Sequence, residues 1–357
     1  MSRSIGTLVT SLRLVSPQAQ QLQGWLESDH DASIVLLWSA ACFESASFVV
    51  LPKSPRDITI VLKVITALRL TFSASTRHPG LVVDLRNLNQ VAVADDKKIV
   101  SLGPGALWGE VYTALDPHEV SVIGGRIASM GARGLILGGI ISVHNIWYEL
   151  GIYQLEQNRC SDTRTTVGLI AGLDAVTLGL IYSEPSPQQP ACFAPFKDIP
   201  ATAHPILATN GTVLVLSQIL GAAASATPPH SKINAQLYKD TFVPQPVTAA
   251  MVQYGLEKGG NCLGLAPENA QWWTTLIDWE HEKDDAAVRE VSITTEGWKA
   301  LGQEIGLHDS FLYMDDASRD QNPLLSYGEE SLRRLEVVSL RYDPAQVFQD
   351  LQNNGFC

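Results

Sequence analysis

The chain has 357 residues, of which 45% are hydrophobic and 17% are charged, a composition typical of a globular protein with a sizeable core. Its length favours two domains. The formal net charge of −12 argues against a nucleic-acid partner, because binding to a phosphate backbone depends on clustered lysine and arginine.

The cysteines and the apolar runs argue against several further classes of protein. The five cysteines are scattered without a C-x-x-C pair, which fits neither a disulfide framework nor a zinc site. The first residues lack the apolar stretch of a signal peptide, and no apolar run reaches the roughly 18 residues of a membrane helix. The sequence therefore predicts a cytoplasmic protein with no metal and no membrane partner.

Helical and strand patterns alternate in the first third of the chain. Residues 6–30 carry apolar side chains at helical spacing. The run SFVVL predicts a short strand, and Ser54-Pro55 predicts the start of a helix that ends near Leu68. Another strand follows that helix, in the region of LTFSAS.

The next segment, LVVDLRNLNQVAVADDKKIVSLGPGALWGEVYTAL, predicts three strands and a helix. The strands are separated by a loop and by a turn at Asp95-Asp96, and the last strand is followed by a turn at Gly103-Pro104-Gly105. The helix is expected from Ala106 to Leu115.

The second half of the chain is also mixed. GTVLVLSQILGAAASATPPHS predicts an apolar strand or helix that runs into a loop. WEHEKDDAAVREVSITTEGWKALGQEIG predicts an acidic helix start, a strand and an amphipathic helix. No internal repeat is present in the sequence, and the mixture of helix and strand favours the α+β class.

The segment GGRIASMGARGLILGGIIS, residues 124–142, has six glycines in nineteen positions. Glycine is costly in ordered backbone, so such a run indicates that another group approaches the main chain closely. LGPGALWGE lies between a predicted strand and a predicted helix, as a Rossmann site does, but its glycines have the wrong spacing and Trp108 is too bulky beside a pyrophosphate. We expect a tight turn there, with Trp108 and Tyr112 in the core.

Five motifs occur in a characteristic order: FVVLPKSPRDI, VVDLRNLNQVAV, VSLGPGALWGEVYTAL, GGRIASMGARGLILGGIIS and YDPAQVFQDLQNNGF. Together they resemble the FAD-linked oxidoreductases of the vanillyl-alcohol oxidase and p-cresol methylhydroxylase superfamily. The resemblance is strongest to the berberine-bridge-like branch, which is common in fungal secondary metabolism. It covers the chain from about residue 38 to the C-terminus.

The resemblance implies an α+β fold with a PCMH-type FAD-binding domain of two α/β subdomains over residues 1–180. A substrate domain with an antiparallel sheet and helices is expected over 181–310, and a return to the FAD domain over 311–357. The resemblance also implies that the glycine segment faces the diphosphate and the flavin, because several N–H dipoles at close range hold a doubly negative group well.

The residues expected to line FAD are carried over by their position in the motifs. In the glycine segment they are Gly124, Gly125, Arg126, Ala128, Ser129, Gly131, Gly134, Gly138, Gly139 and Ser142. The run VGLIAGLDAVT resembles the family's N-F-G-I-V-T-x-F-D, which adds Gly168 and Ile170.

The chain departs from the family pattern at the second phosphate loop. Relatives carry R-G-G-G-H and an excursion, whereas FSASTRHPGLVVDL has one glycine and no excursion. His78 is the histidine nearest to the position that is linked covalently to flavin in many relatives, and a plain loop histidine is the alternative. We therefore expect non-covalent FAD, with covalent attachment through His78 as the second possibility.

Other departures fall on residues that lie near the flavin in relatives. Ile140 replaces a third glycine, and the segment that follows is shortened. YMDDAS stands where relatives have Y-M-N-Y-A, so Asp315 replaces an asparagine that hydrogen-bonds the flavin, and Asp316 replaces a tyrosine often near the substrate.

The resemblance implies hydride removal from a C–H bond next to oxygen or nitrogen in a small-molecule substrate, with O₂ as the electron acceptor. The catalytic base is not identified by the sequence. Tyr148, Glu149 and His144 are candidates because they follow the glycine segment; Asp315 and Asp316 are candidates in a flavin-independent reaction, because two close carboxylates can split their pKa values. A flavin-independent isomerase or cyclase, and a non-catalytic remnant, are the alternatives.

Overall fold

The structure is a computed structural model. It describes residues 48–74, 80–122, 124–125, 127–138, 165–172, 176–182, 186–203, 210–226, 239–247, 249–257, 259–260, 262–278, 282–284, 286, 297–317 and 321–352. The described residues fall into two compact units. The first holds residues up to Val120, Gly131–Gly134 and the residues from Ala317 onward, and the second holds Ser121–Met130 and the described residues over 135–316.

The elements are numbered in chain order over the described residues. The strands are β1 Phe48–Val50, β2 Phe72–Ser73, β3 Leu81–Val83, β4 Val91–Val93, β5 Val100–Leu102, β6 Thr165–Gly172, β7 Val176–Tyr182, β8 Lys239–Val247 and β9 Ala270–Asp278. The helices are α1 Pro55–Leu68, α2 Trp108–Leu115, α3 Ala132–Leu137, α4 Val213–Ala226, α5 Ala249–Glu257, α6 Pro323–Ser326, α7 Glu329–Tyr342 and α8 Val347–Leu351. None of these helices combines the length and apolar character needed to cross a bilayer.

Helix α1 begins where the sequence predicts. The Ser54 hydroxyl accepts a hydrogen bond from the Asp57 backbone N–H at 3.3 Å, and the Asp57 carboxylate accepts one from the Lys53 N–H at 2.9 Å. Pro55 lies in the first turn, where its missing N–H costs nothing. The helix ends at Arg69, whose φ of 51° places it in the left-handed region.

Helix α1 packs with a parallel sheet and with the end of the chain to form the core of the first unit. The sheet has the order β1-β3-β2, with Val49 opposite Val82 and Phe72 opposite Leu81. Helix α8 completes the core, and the Phe348 ring lies edge-on to Phe72 with centroids 5.7 Å apart. The buried members of this core are Val50, Val61, Val64, Ile65, Phe72, Leu81, Val83, Val347 and Leu351.

Strands β4 and β5 form the hairpin that the sequence predicts, with the turn at Asp95-Asp96. The helix that follows begins at Trp108, two residues later than predicted. Leu107 has an extended backbone and its N–H donates to the Glu110 carboxylate at 2.8 Å, so this residue caps the helix. Trp108 and Tyr112 are buried as expected, with their rings stacked at 5.7 Å between centroids.

The second unit contains an antiparallel sheet of order β7-β6-β8-β9. Strands β6 and β7 pair along their length, for example Val167 with Leu180, and Ala171 of β6 pairs with Phe242 of β8. None of these four strands is among the elements that the sequence predicts individually. The run expected to be strand or helix from Gly211 onward is the helix α4, and the predicted helix over 6–30 lies outside the described residues.

Candidate functional site

The glycine segment enters the first unit beside the turn that precedes α2. Gly131 forms a β-bridge with Leu107, and the Ala132 N–H donates to the Ala106 carbonyl at 2.9 Å. Trp108 follows directly and is fully buried. Its indole N–H finds no acceptor among the described residues. These contacts fix the main chain at the start of α3.

Two glycines of this segment face open space. A methyl group built on Gly131 or on Gly134 would have no protein atom within 4 Å among the described residues. The glycines of the preceding turn are different, because a side chain on Gly103 or Gly105 would collide with the backbone carbonyl of Leu88 or Leu85. Gly103 and Gly105 are therefore needed by the fold, whereas the fold itself has room for side chains at positions 131 and 134.

Arg133 lies between these two open glycines. Its guanidinium donates a hydrogen bond to the Ala74 carbonyl at 2.9 Å and so links α3 to the end of β2. The side chain is partly buried, and this burial lowers the pKa of Arg133. Arg133 was not singled out in the sequence, although a charged residue inside a run of small residues was a signal that could have found it.

In the second unit, the burial of the glycine segment decreases along the chain from Gly124 to Ser129. Gly124 and Gly125 are buried, Ala128 is half-buried, and Ser129 is exposed. A turn follows, in which the Met130 N–H donates to the Ile127 carbonyl at 3.1 Å. Whether these residues contact the cofactor stays a prediction.

The second unit brings together two residues that the sequence predicted at the cofactor, Gly138 and Asp315. The Asp315 carboxylate occupies the place that a side chain on Gly138 would take. Asp315 lies in a short 3-10 turn, Met314–Asp316, and the Tyr313 hydroxyl donates a hydrogen bond to its Oδ2 at 2.9 Å. The missing Gly138 side chain makes this arrangement possible.

Burial of the Asp315 carboxyl raises its pKa. The Tyr313 hydrogen bond acts in the opposite direction because it stabilises the charged form, and the negative charge of Asp316 adds to the increase. The residue as a whole stays solvent-exposed, so the effect belongs to the carboxyl group against the Gly138 main chain. A carboxyl in this setting can bind a proton at a higher pH than an ordinary aspartate.

The other residues predicted at the cofactor are not shown to contact Gly131 and Gly134 or the pair Gly138 and Asp315 in the described part of the chain. Gly168 and Ile170 lie on β6, opposite Gly179 and Thr177 of β7. Several others lie outside the described residues: His78, Arg126, Gly139, Ser142, His144, Tyr148 and Glu149. No group of three or more His, Cys, Asp or Glu placed to hold a metal ion occurs in the described part of the chain.

The residues of the first unit have the features that a bound diphosphate needs. Main chain without side chains lets an anion approach closely, and a guanidinium supplies a positive charge with several donors. Gly131, Arg133 and Gly134 provide both within four consecutive positions. That this segment receives the diphosphate of FAD stays a prediction of the sequence motifs.

The sequence profile of a family described as an FAD binding domain matches residues 46–162. An FAD-dependent monooxygenase of Arthrobotrys oligospora is 24% identical over 444 aligned positions, which cover 93% of this chain and 86% of the relative. The alignment is longer than the 357 residues of this chain, so the relative has segments that this chain lacks.

Solved structures show the same fold at low sequence identity. The 6-hydroxy-D-nicotine oxidase of Arthrobacter nicotinovorans superposes with a TM-score of 0.65 at 13% identity, covering 92% of this chain and 96% of the oxidase. A variant of BBE-like 1 of Physcomitrella patens gives a TM-score of 0.62 at 12% identity, covering 96% of this chain and all of the other.

Proposed function

Because this chain belongs to the FAD-linked oxidoreductases of the vanillyl-alcohol oxidase and p-cresol methylhydroxylase superfamily, we propose that it oxidises a small-molecule secondary metabolite. The observation that carries the proposal is the open glycine face at Gly131 and Gly134, inside the segment that matches the FAD binding domain. The absence of side chains at these two positions lets another group approach the main chain closely.

The chemistry that bound FAD would supply is an acceptor for the hydride that leaves the substrate. The chain's own contribution is to hold the cofactor, to orient the substrate and to accept the proton that the substrate loses. The relatives include a protein named as an FAD-dependent monooxygenase and one named as an oxidase. These names support O₂ as the acceptor that returns the cofactor to its oxidised state.

Asp315 is the group that we propose as the proton acceptor. Its carboxylate is held by the Tyr313 hydroxyl and lies over the Gly138 main chain, so its position is fixed by two contacts. Its raised pKa makes it a stronger base than an ordinary aspartate, and general-base catalysis favours a pKa near the working pH. Tyr148 and Glu149 stay alternative predictions for this role, as does Asp316.

We propose that the cofactor is held without a covalent bond. The sequence after β2 supports this proposal. It lacks the three adjacent glycines that precede the attachment histidine in relatives, so its one histidine, His78, does not stand in the family's motif. The cytoplasmic location expected from the sequence also stays a prediction, which fractionation of the host cells tests.

The family match favours the flavin enzyme over a flavin-independent isomerase or cyclase and over a non-catalytic remnant. The test is to purify the full chain, record its visible spectrum, and then precipitate it with acid. We expect the flavin absorption band in the native protein and all of the flavin in the supernatant. Flavin in the pellet would contradict non-covalent binding, and a colourless protein that does not bind added FAD would contradict the proposed function.

A further inference from the structure

The charge of Arg133 is not balanced within the described part of the chain. Arg69, Arg86 and Arg333 each form an ion pair with a carboxylate. No carboxylate among the described residues forms an ion pair with Arg133, and its recorded partner is the neutral carbonyl of Ala74. This is notable in a chain with a formal net charge of −12.

A partly buried guanidinium without an anion is costly. Burial removes water from the charged group, and the lowered pKa of Arg133 reflects this loss. The group stays protonated in proteins and carries five N–H donors, of which the Ala74 carbonyl takes one. An anion that accepted hydrogen bonds from two of the other N–H groups would balance the charge and replace hydrogen bonds that burial takes from water.

Main chain without side chains lies next to Arg133 in the sequence. Gly131 and Gly134 flank Arg133, and neither has a protein atom within 4 Å of the position that its side chain would occupy, among the described residues. The Ala74 carbonyl holds the guanidinium where β2 ends. In the sequence, the segment that corresponds to the second phosphate loop of relatives follows Ala74 directly. A phosphate group matches the planar fork of arginine with two parallel hydrogen bonds.

We propose that Arg133 binds the diphosphate of FAD, in a chain whose sequence after β2 has one glycine where relatives have three. The inference rests on the proposed function, since it assigns one residue to the cofactor of that function. Arg133 is thus a binding residue for the phosphate part of the cofactor and takes no part in the hydride step.

The experiment compares the wild-type apoprotein with Arg133→Met and Arg133→Lys by titration with FAD and with riboflavin, which lacks the diphosphate. Arg69→Met is the matched control, because Arg69 is an exposed arginine of the same unit that pairs with Asp350. We expect Arg133→Met to weaken FAD binding by at least about tenfold. Arg133→Lys should lose less FAD affinity than Arg133→Met, because lysine keeps the positive charge but cannot form two parallel hydrogen bonds to a phosphate.

Two further readouts separate a phosphate contact from a structural effect. Riboflavin affinity should be the same in all four proteins, and the salt dependence of FAD binding should be weaker in Arg133→Met than in the wild type. Unchanged FAD affinity in Arg133→Met, or an equal loss of riboflavin affinity, would overturn the assignment of Arg133. A wild-type protein that binds no FAD would overturn the proposed function itself.

Discussion

The Asp315 carboxyl shows how one side chain depends on the absence of another. It fits against the chain because Gly138 has no side chain, and the Tyr313 hydroxyl holds it there. The same contact removes water from the carboxyl and raises its pKa. Asp315 is therefore a candidate base because of its surroundings, since an aspartate in free solution has a pKa of about 3.9.

The raised pKa gives a pH-dependent stability with a definite sign. Below the ordinary aspartate pKa of about 3.9, Asp315 is protonated in both the folded and the unfolded chain. As the pH rises through the higher pKa of the folded state, the folded chain must ionise a partly buried group and loses stability. Asp315→Asn should match the wild type at low pH and become the more stable protein toward neutral pH, as measured by chemical denaturation across the pH range.

Two variants serve as controls for that measurement. Asp198→Asn, at an exposed turn, is the matched control for replacing one aspartate by asparagine. Tyr313→Phe removes the hydrogen bond that stabilises the charged carboxyl, so the loss of stability should extend to higher pH. An Asp315→Asn profile parallel to that of the wild type at every pH would contradict the assignment.

At the scale of elements, local signals account for much of the first unit. Ser54-Pro55 predicts the start of α1, and the alternation around Asp95-Asp96 predicts the hairpin β4–β5, because capping and turn chemistry act between residues close in sequence. The start of α2 was predicted two residues early. Leu107 stays extended because it pairs with Gly131 of the glycine segment, and its N–H is then capped by the Glu110 carboxylate, so the helix begins at Trp108.

The cap of α1 can be tested by one substitution. Ser54→Ala removes the hydroxyl that accepts from the Asp57 N–H, and the loss of such a cap costs about 1 kcal/mol. We expect this decrease in the free energy of unfolding from urea denaturation. Ser101→Ala, on the exposed face of β5, should change the stability far less, and an equal effect of both substitutions would show that Ser54 does not cap the helix.

At the scale of the whole molecule, the ordered motifs predict the fold and the cofactor; the structural neighbours confirm the fold, and the match to the FAD binding domain confirms the cofactor. Individual contacts could not be predicted in the same way. The contact between Gly138 and Asp315 and the bond from Arg133 to Ala74 join residues far apart in sequence. Strand β6 was missed because its pairing with β7 and β8, rather than its own periodicity, defines it.

The central claim is that the open main chain at α3 is the surface that receives FAD, and Gly134→Ala tests it most directly. Alanine in a helix is more favourable than glycine by up to about 1 kcal/mol, and the added methyl meets no protein atom among the described residues. Gly255→Ala is the matched control, because Gly255 also lies in a helix, α5, with open space at its side-chain position.

The measurement is FAD affinity by titration, together with the melting temperature of each apoprotein. We expect both substitutions to keep or raise the melting temperature, and Gly134→Ala alone to weaken FAD binding, by about tenfold or more. An unchanged FAD affinity in Gly134→Ala would contradict the account, because the cofactor would then not lie against this main chain.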